Sequence, residues 1–319
     1  MAANEGARTP IVVVAGELNV DIIVSGEDVV PEWNREKLIE GFNVVLGSSS
    51  AITACALASL GLDVRFVGVV GDDDFGKFCM AELKRMGVNT EYITALPGVK
   101  TGVTLSFSTP SDRGLLTYPG SIPLLTPAYI PESLFQEADH LHFGSYYLQD
   151  GMRPHWPALF ERVRCQGIST SFDTGWDVRN LWDRDGISAL LMHTDLFIPS
   201  EEEVLGIYAC SNLSDLFANH LSAVGVVAVK QGSRGATLRN SDKSVVSTKP
   251  YRISPVDTTG AGDCFNAGII QGYLQGYTGE TLLRYANACG ALSTLGVGGT
   301  GNLPTVEAVM RIQAEEQEA

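Results

Sequence analysis

The run Ile11-Val-Val-Val-Ala15, closed by Gly16, constrains the fold of this chain more than any other feature. A strand with one wet face alternates apolar and polar residues. An unbroken β-branched run belongs instead in a strand covered on both faces, as inside a parallel sheet. Comparable strand runs recur at residues 64–70, 140–143, 168–172, 195–198 and 224–229. Helices are predicted at 50–60 and 75–86, each stopped by a glycine (Gly61, Gly87), and again at 156–164, 264–274 and 281–295. This alternation predicts an α/β fold: one three-layer α/β/α domain over residues 10–310.

Two stretches break the rhythm. Residues 102–108 and 115–118 read as short strands around the polar turn 109–114, which is a hairpin and not a strand-helix-strand unit. Together with the early segment they predict a small β-sheet lid made from about 20–46 and 98–120. A second hairpin is expected at 235–246, and the acidic end, 315–319, reads as a flexible tail.

Charge narrows the function. The 22 Lys and Arg stand against 37 Asp and Glu, a formal net charge of -15. That balance argues against nucleic acid as a partner, because such binding relies on cations that displace counterions from phosphate. A bound phosphate is still allowed, since backbone N–H groups can hold one in an acidic protein. The first ten residues lack an apolar signal core, and 11–15 is too short to cross a bilayer, so no membrane partner and a cytoplasmic location are expected. The six cysteines (Cys55, Cys79, Cys165, Cys210, Cys264, Cys289) are dispersed, as reduced thiols would be. His140 and His142 read as structural or pocket-edge groups and not as a metal pair.

The richest chemistry lies in Asp257-Thr-Thr-Gly-Ala-Gly-Asp263, at the start of an apolar helical pattern. Gly260, Ala261 and Gly262 allow close backbone approach, and the first helical turn offers unpaired N–H groups at the positive end of the dipole. This is an anion cradle with Asp263 beside it. Two readings of Asp263 stay open on the local string: a base that deprotonates an incoming hydroxyl, or a side chain that caps helix amides. The run is neither a Walker A loop nor a dinucleotide GxGxxG fingerprint.

Residues 256–268, Val-Asp-Thr-Thr-Gly-Ala-Gly-Asp-Cys-Phe-Asn-Ala-Gly, resemble the carboxy-terminal motif of the ribokinase-like, or PfkB-type, carbohydrate kinases, and the resemblance extends from Gly16 to about Pro304. It implies transfer of the ATP γ-phosphoryl to an alcohol of a sugar or sugar-like molecule, with Mg2+ as cofactor and K+ as an activator. It further implies Asp263 as base and Gly260, Ala261 and Gly262 as anion hole. For the substrate it implies Asn19 and Asp21, then Gly47, Ser48 and Ser49 in the early glycine motif, with Phe107, Tyr147, Asp173 and Trp176 as pocket candidates. For the nucleotide it implies Ser200, Glu203, Lys230, Gly232, Gly235, Asn287 and Gly298. Glu203 would organise magnesium through water, and carbonyls at Asp257 and its neighbours would serve potassium. The acidic turn Asp72-Asp-Asp74 reads as a fold turn and helix entry.

The chain departs from the family pattern at two places. Ile52 replaces the usual Asn of the early motif, and Ser200 replaces the Asn of Asn-x-x-Glu. These changes loosen any inference about the acceptor, so a nucleoside kinase and a catalytically silent sugar or nucleotide sensor stand as alternatives. A homodimer through the lid is common in the resembled family.

Overall fold

The computed structural model describes residues 8–109 and 113–318. In chain order the strands are β1 (Ile11–Ala15), β2 (Asn19–Ser25), β3 (Gly41–Leu46), β4 (Asp63–Gly71), β5 (Asn89–Leu96), β6 (Gly102–Ser108), β7 (Arg113–Tyr118), β8 (His140–Phe143), β9 (Ser169–Phe172), β10 (Leu196–Phe197), β11 (Val226–Lys230), β12 (Ala236–Arg239) and β13 (Val245–Thr248). The helices are α1 (Ser49–Ser59), α2 (Asp74–Arg85), α3 (Trp156–Cys165), α4 (Arg184–Leu191), α5 (Glu201–Tyr208), α6 (Leu213–Asn219), α7 (Ala261–Leu274), α8 (Gly279–Ser293) and α9 (Val306–Glu318).

Nine strands form the central sheet in the order β13-β12-β11-β10-β9-β8-β1-β4-β5. The strands from β11 to β5 run parallel, and the β12–β13 hairpin adds an antiparallel edge. The opening run behaves as its composition demands. Val12 and Val14 pack into a core with α1, α7 and α8, while Val13 and Ala15 pack into the opposite core with α3, α4 and α5. Each of these fully buried valines contributes about 1.5–3 kcal/mol relative to exposure. The three-layer α/β architecture is therefore present. His140 and His142 are buried in β8 and bonded to Ser169 and Ser171 of β9, 2.7–2.8 Å away. Burial pushes their pKa values down to about 3 and 4, so both rings are neutral sheet elements.

Four strands form a separate sheet in the order β3-β2-β6-β7. Period-two alternation splits it into two unlike faces. Asn19, Asp21, Ile23, Thr104, Ser106, Leu115 and Thr117 face a cavity. On the other face stand Ile22, Val24, Phe42, Val44, Leu105, Phe107, Leu116 and Tyr118, of which Phe42, Leu116 and Tyr118 are more than half exposed. The centre of the β6–β7 turn, residues 110–112, lies outside the described residues, as do 1–7.

One element was absent from the sequence reading, and one expectation needs correction. Residues 89–96 form a strand that the sequence conceals, because β5 is a half-exposed edge carrying Thr90, Glu91 and Thr94 among its apolar residues. The acidic end is not a loose tail as far as Glu318: α9 carries it, and Glu316 pairs with Arg284 at 2.8 Å. Glu, Gln and Ala are good helix formers, so an acidic composition there is compatible with a continued helix.

Candidate active site

The carboxyl ends of the parallel strands meet the amino ends of α1 and α7, the edge at which open α/β sheets commonly hold ligands. Gly260 sits at the N-cap of α7 with φ 77°, a left-handed conformation, and a Cβ there would stand 2.7 Å from Gly299 Cα. Only glycine fits both demands. The preceding turn is braced by Asp257, whose Oδ1 accepts from Thr259 N at 2.9 Å and whose Oδ2 accepts from Gly298 N at 2.8 Å. The α7 amino end then faces Lys230, whose ammonium lies 3.7 Å from where a Gly262 Cβ would be. Lys230, Ala261 and Gly262 thus border one cavity, where a helix amino end and an ammonium together suit an anion.

Asp263 lies in this first turn, between two cavities. One, of about 240 Å³, is lined by Glu17, Asn19, Asp21, Ser48, Ser49, Ile52 and the inner face of the small sheet. The other, of about 720 Å³, is lined by Ser200, Glu203, Lys230, Gly232, Gly235 and Asn287, with apolar walls that include Tyr251 and Ile253. Asp263 and Ser49 line both. Burial pushes the Asp263 carboxyl up to about 7, opposed by a hydrogen bond from Ser49 and by Lys230, and assisted by Asp173 and Glu17. A carboxyl titrating near neutrality suits general-base work.

In the larger cavity, Lys230 donates to Asp173 and, at 3.2 Å, to Asn266. Asn266 Nδ2 donates to the same Asp173 oxygen at 2.8 Å. Burial works against the Lys230 ammonium, but Asp173 and Glu203 outweigh it and hold the proton. Burial likewise opposes the Asp173 carboxylate, and there Lys230 and Asn266 prevail and hold its pKa down. Glu203 goes the other way, raised by burial and by Asp173. Ser200 and Glu203 form a reciprocal capping box at the start of α5, with Ser200 N donating to Glu203 Oε2 at 2.8 Å. Serine performs this capping in the position where the family pattern has Asn.

Of the expected substrate group, Asn19, Asp21, Ser48 and Ser49 line the smaller cavity. Gly47 stands behind it: a Cβ would come within 2.1 Å of Asp21 Oδ1, so glycine leaves room for that carboxylate. Four others lie outside the smaller cavity. Phe107 falls on the outer face of the small sheet, since strand alternation gives the cavity to Thr104 and Ser106. Tyr147 is buried edge-on against Tyr146 and Trp182, at 5.2 and 5.9 Å. Trp176 is 51% exposed and packs edge-on against Trp182. Asp173 lines the larger cavity, held there by Lys230. Among the residues expected on the nucleotide side, Gly298 lines neither cavity and instead tethers Asp257, while Asn287 lines the larger one with its amide donated to Thr248 Oγ1 at 2.7 Å.

Sequence reasoning missed Glu17, Thr104, Ser106, Thr117, Ser145 and Asn266. Glu17 is 2% exposed, lines the smaller cavity, and accepts from Ser50 N, Ser50 Oγ and Ser145 Oγ. Its place directly after the first buried strand was an available signal. Alternating hydroxyls in β6 and β7 were another.

Residues 11–306 match the pfkB family carbohydrate kinase pattern. The chain belongs to the pfkB family. Among its curated relatives is an ATP-dependent ribose-1-phosphate kinase of Halopiger xanaduensis, 34% identical, covering 95% of this chain and 98% of the relative. The ribokinase of Bacillus subtilis is 28% identical, covering 92% and 95%. An Escherichia coli chain assigned as a ribokinase II, solved with ATP and Mg2+, superposes with a TM-score of 0.83 at 26% identity, covering 98% of this chain and all of that one. Fold and pfkB membership together support ATP-dependent phosphoryl transfer to a sugar or nucleoside as the general activity. No helix among the described residues is long and apolar enough to cross a membrane.

Proposed function

We propose that this pfkB protein transfers the γ-phosphoryl of ATP to a hydroxyl of an uncharged, compact sugar-like acceptor, with Asp263 as general base. The observation that carries this reading is the meeting of the two cavities at Asp263. The acceptor occupies the smaller cavity, its hydroxyls held by Asn19, Asp21 and the Thr104, Ser106 and Thr117 face. ATP occupies the larger one, with its phosphates at the α7 amino end and Lys230. The acceptor oxygen forms its bond to γ-phosphorus as the bond to the β,γ-bridging oxygen breaks. The hydroxyl proton passes to Asp263, and the first-turn amides of α7 stabilise the transferring oxygens. A catalytically silent sensor would have no need for an acid placed where both cavities meet.

Magnesium brought with ATP supplies charge neutralisation on the phosphates. Glu203 lines that cavity and suits a water-mediated contact to the ion. Both Asp257 carboxylate oxygens accept hydrogen bonds, so a potassium ion there would take its backbone carbonyl.

The acceptor class follows from the lining. Three carboxylates (Glu17, Asp21, Asp263) face the smaller cavity, and among its described lining residues there is no Lys, Arg, His or aromatic side chain. Anionic sugars would meet like charge, and a nucleoside base would find no aromatic face. A panel of neutral sugars, sugar acids, sugar phosphates and nucleosides, incubated with ATP and Mg2+ and read by product mass, should give phosphorylated neutral sugar at the highest rate. Preferred phosphorylation of a nucleoside or sugar phosphate would refute this acceptor class.

The outer face of the small sheet supports a homodimer. Phe42, Leu116 and Tyr118 stand more than half exposed on it, exposed apolar patches commonly mark interaction surfaces, and a second copy offers the same face in return. Light scattering should give twice the chain mass, and Leu116→Lys should shift it to one. A wild-type monomer at micromolar concentration would remove this element.

A further inference from the structure

Three consecutive serines follow Gly47, and the structure turns the middle one away from its neighbours. Ser48 Oγ donates to the Glu17 carbonyl at 2.5 Å and accepts from Ala51 N at 3.1 Å, capping α1. Ser50 gives its amide and its hydroxyl to the Glu17 carboxylate, at 3.0 and 2.5 Å. Glu17 is itself fixed by Ser145 at 2.9 Å and Gln149 at 3.4 Å. Ser49, pinned between these two anchors, points at α7 and donates to Asp263 Oδ1 at 2.5 Å. One turn further along α1, Thr53 Oγ1 donates to the Asp263 carbonyl at 3.3 Å. One helix therefore holds both the side chain and the backbone of the same acid.

We infer that Ser49 is a positioning residue for phosphoryl transfer: its hydroxyl engages one oxygen of Asp263 and so presents the other to the acceptor hydroxyl. The inference rests on Asp263 being the base. Ser49 belongs with Asp263 and not with the acceptor, since its proton is already committed at 2.5 Å. A hydrogen bond donated to a carboxylate favours the ionised form, so Ser49 also sets the pH at which the base becomes available. The charged groups around Asp263 are Asp173 and Glu17, which disfavour ionisation, and Lys230, which favours it. Burial aside, the Ser49 bond is the largest influence on the carboxyl, and it opposes burial.

The test is the pH profile of kcat, with acceptor KM, from pH 5.5 to 9.5 for wild type, Ser49→Ala, Ser49→Cys and Ser49→Thr. Loss of the donor should move the acidic limb of Ser49→Ala up by about one pH unit. In that case kcat falls roughly tenfold on the limb and returns close to wild type at high pH, with KM nearly unchanged. Ser49→Cys, a weak donor of similar size, should fall between, and Ser49→Thr should retain the wild-type limb. A loss equal at every pH, a change in KM alone, or an unaltered profile would each overturn the inference. The two readings separate cleanly. An active Asp263→Asn enzyme removes the base itself, whereas an inactive Asp263→Asn beside an unshifted Ser49→Ala profile removes only the role of Ser49.

Discussion

Asp263→Asn is expected to lower kcat by about a thousandfold, within the range of about 10²–10⁴ that general-base catalysis contributes. Asparagine matches aspartate in size and can still accept the Ser49 hydrogen bond through its carbonyl oxygen, so the junction should keep its shape. It cannot take up a proton. The remaining walls of the nucleotide cavity, Lys230, Glu203 and the glycine loop, are untouched, and ATP affinity should stay within about twofold by titration calorimetry. The pH dependence separates this from a general disturbance. With the carboxyl pushed up to about 7, wild-type kcat should rise as pH increases through neutrality, and the residual activity of the variant should lack that limb. Stability runs in the opposite direction. The raised pKa favours the folded state while Asp263 is protonated, and that contribution is lost as pH rises through about 7. Asparagine carries no such loss, so the variant should melt at a higher temperature than wild type at pH 8, with the advantage shrinking by pH 5.

Lys230→Met should have the second large effect, on stability and on nucleotide binding together. Lys230 and Asp173 are paired with side chains only 15% and 7% exposed, and Glu203 and Asp263 also face the ammonium. Removing one partner of a buried pair strands the other, at a cost of roughly 3–5 kcal/mol. Urea unfolding should report a loss in that range. ATP affinity should fall at least tenfold, because the phosphates lose the one cation that faces them among the described lining residues. Adding Asp173→Asn removes the stranded charge. The double variant should therefore regain much of the stability while ATP binding stays weak. Recovery of both would make Lys230 a structural group only.

The parts legible in the sequence were those whose signal is local. Buried strands such as Ile11–Ala15 announce themselves by composition, and the Gly260-Ala-Gly-Asp263 helix entry by its glycines and the apolar pattern behind it. Side-chain direction was not legible in the sequence. Phe107, Tyr147 and Trp176 are the right residue types for a sugar pocket, yet strand parity turns Phe107 outward and aromatic packing claims the other two. Long-range pairing was beyond reach altogether. Asp173 and Lys230 are 57 residues apart, and Ser49 and Asp263 are 214 apart, so only the fold brings the first pair together in the larger cavity and the second to the junction of the two cavities. The β5 edge and the acidic α9 failed for a related reason: exposed elements lack the apolar signature on which periodicity relies.

The central claim is that the two cavities exchange a phosphoryl group across Asp263. Its most direct test is to quantify ADP and phosphorylated acceptor in one reaction with the best acceptor from the panel, for wild type and Asp263→Asn. One phosphorylated acceptor per ADP in the wild type, with both products lost in the variant, is the result expected. ADP formed without a phosphorylated acceptor, or undiminished product from Asp263→Asn, would contradict it.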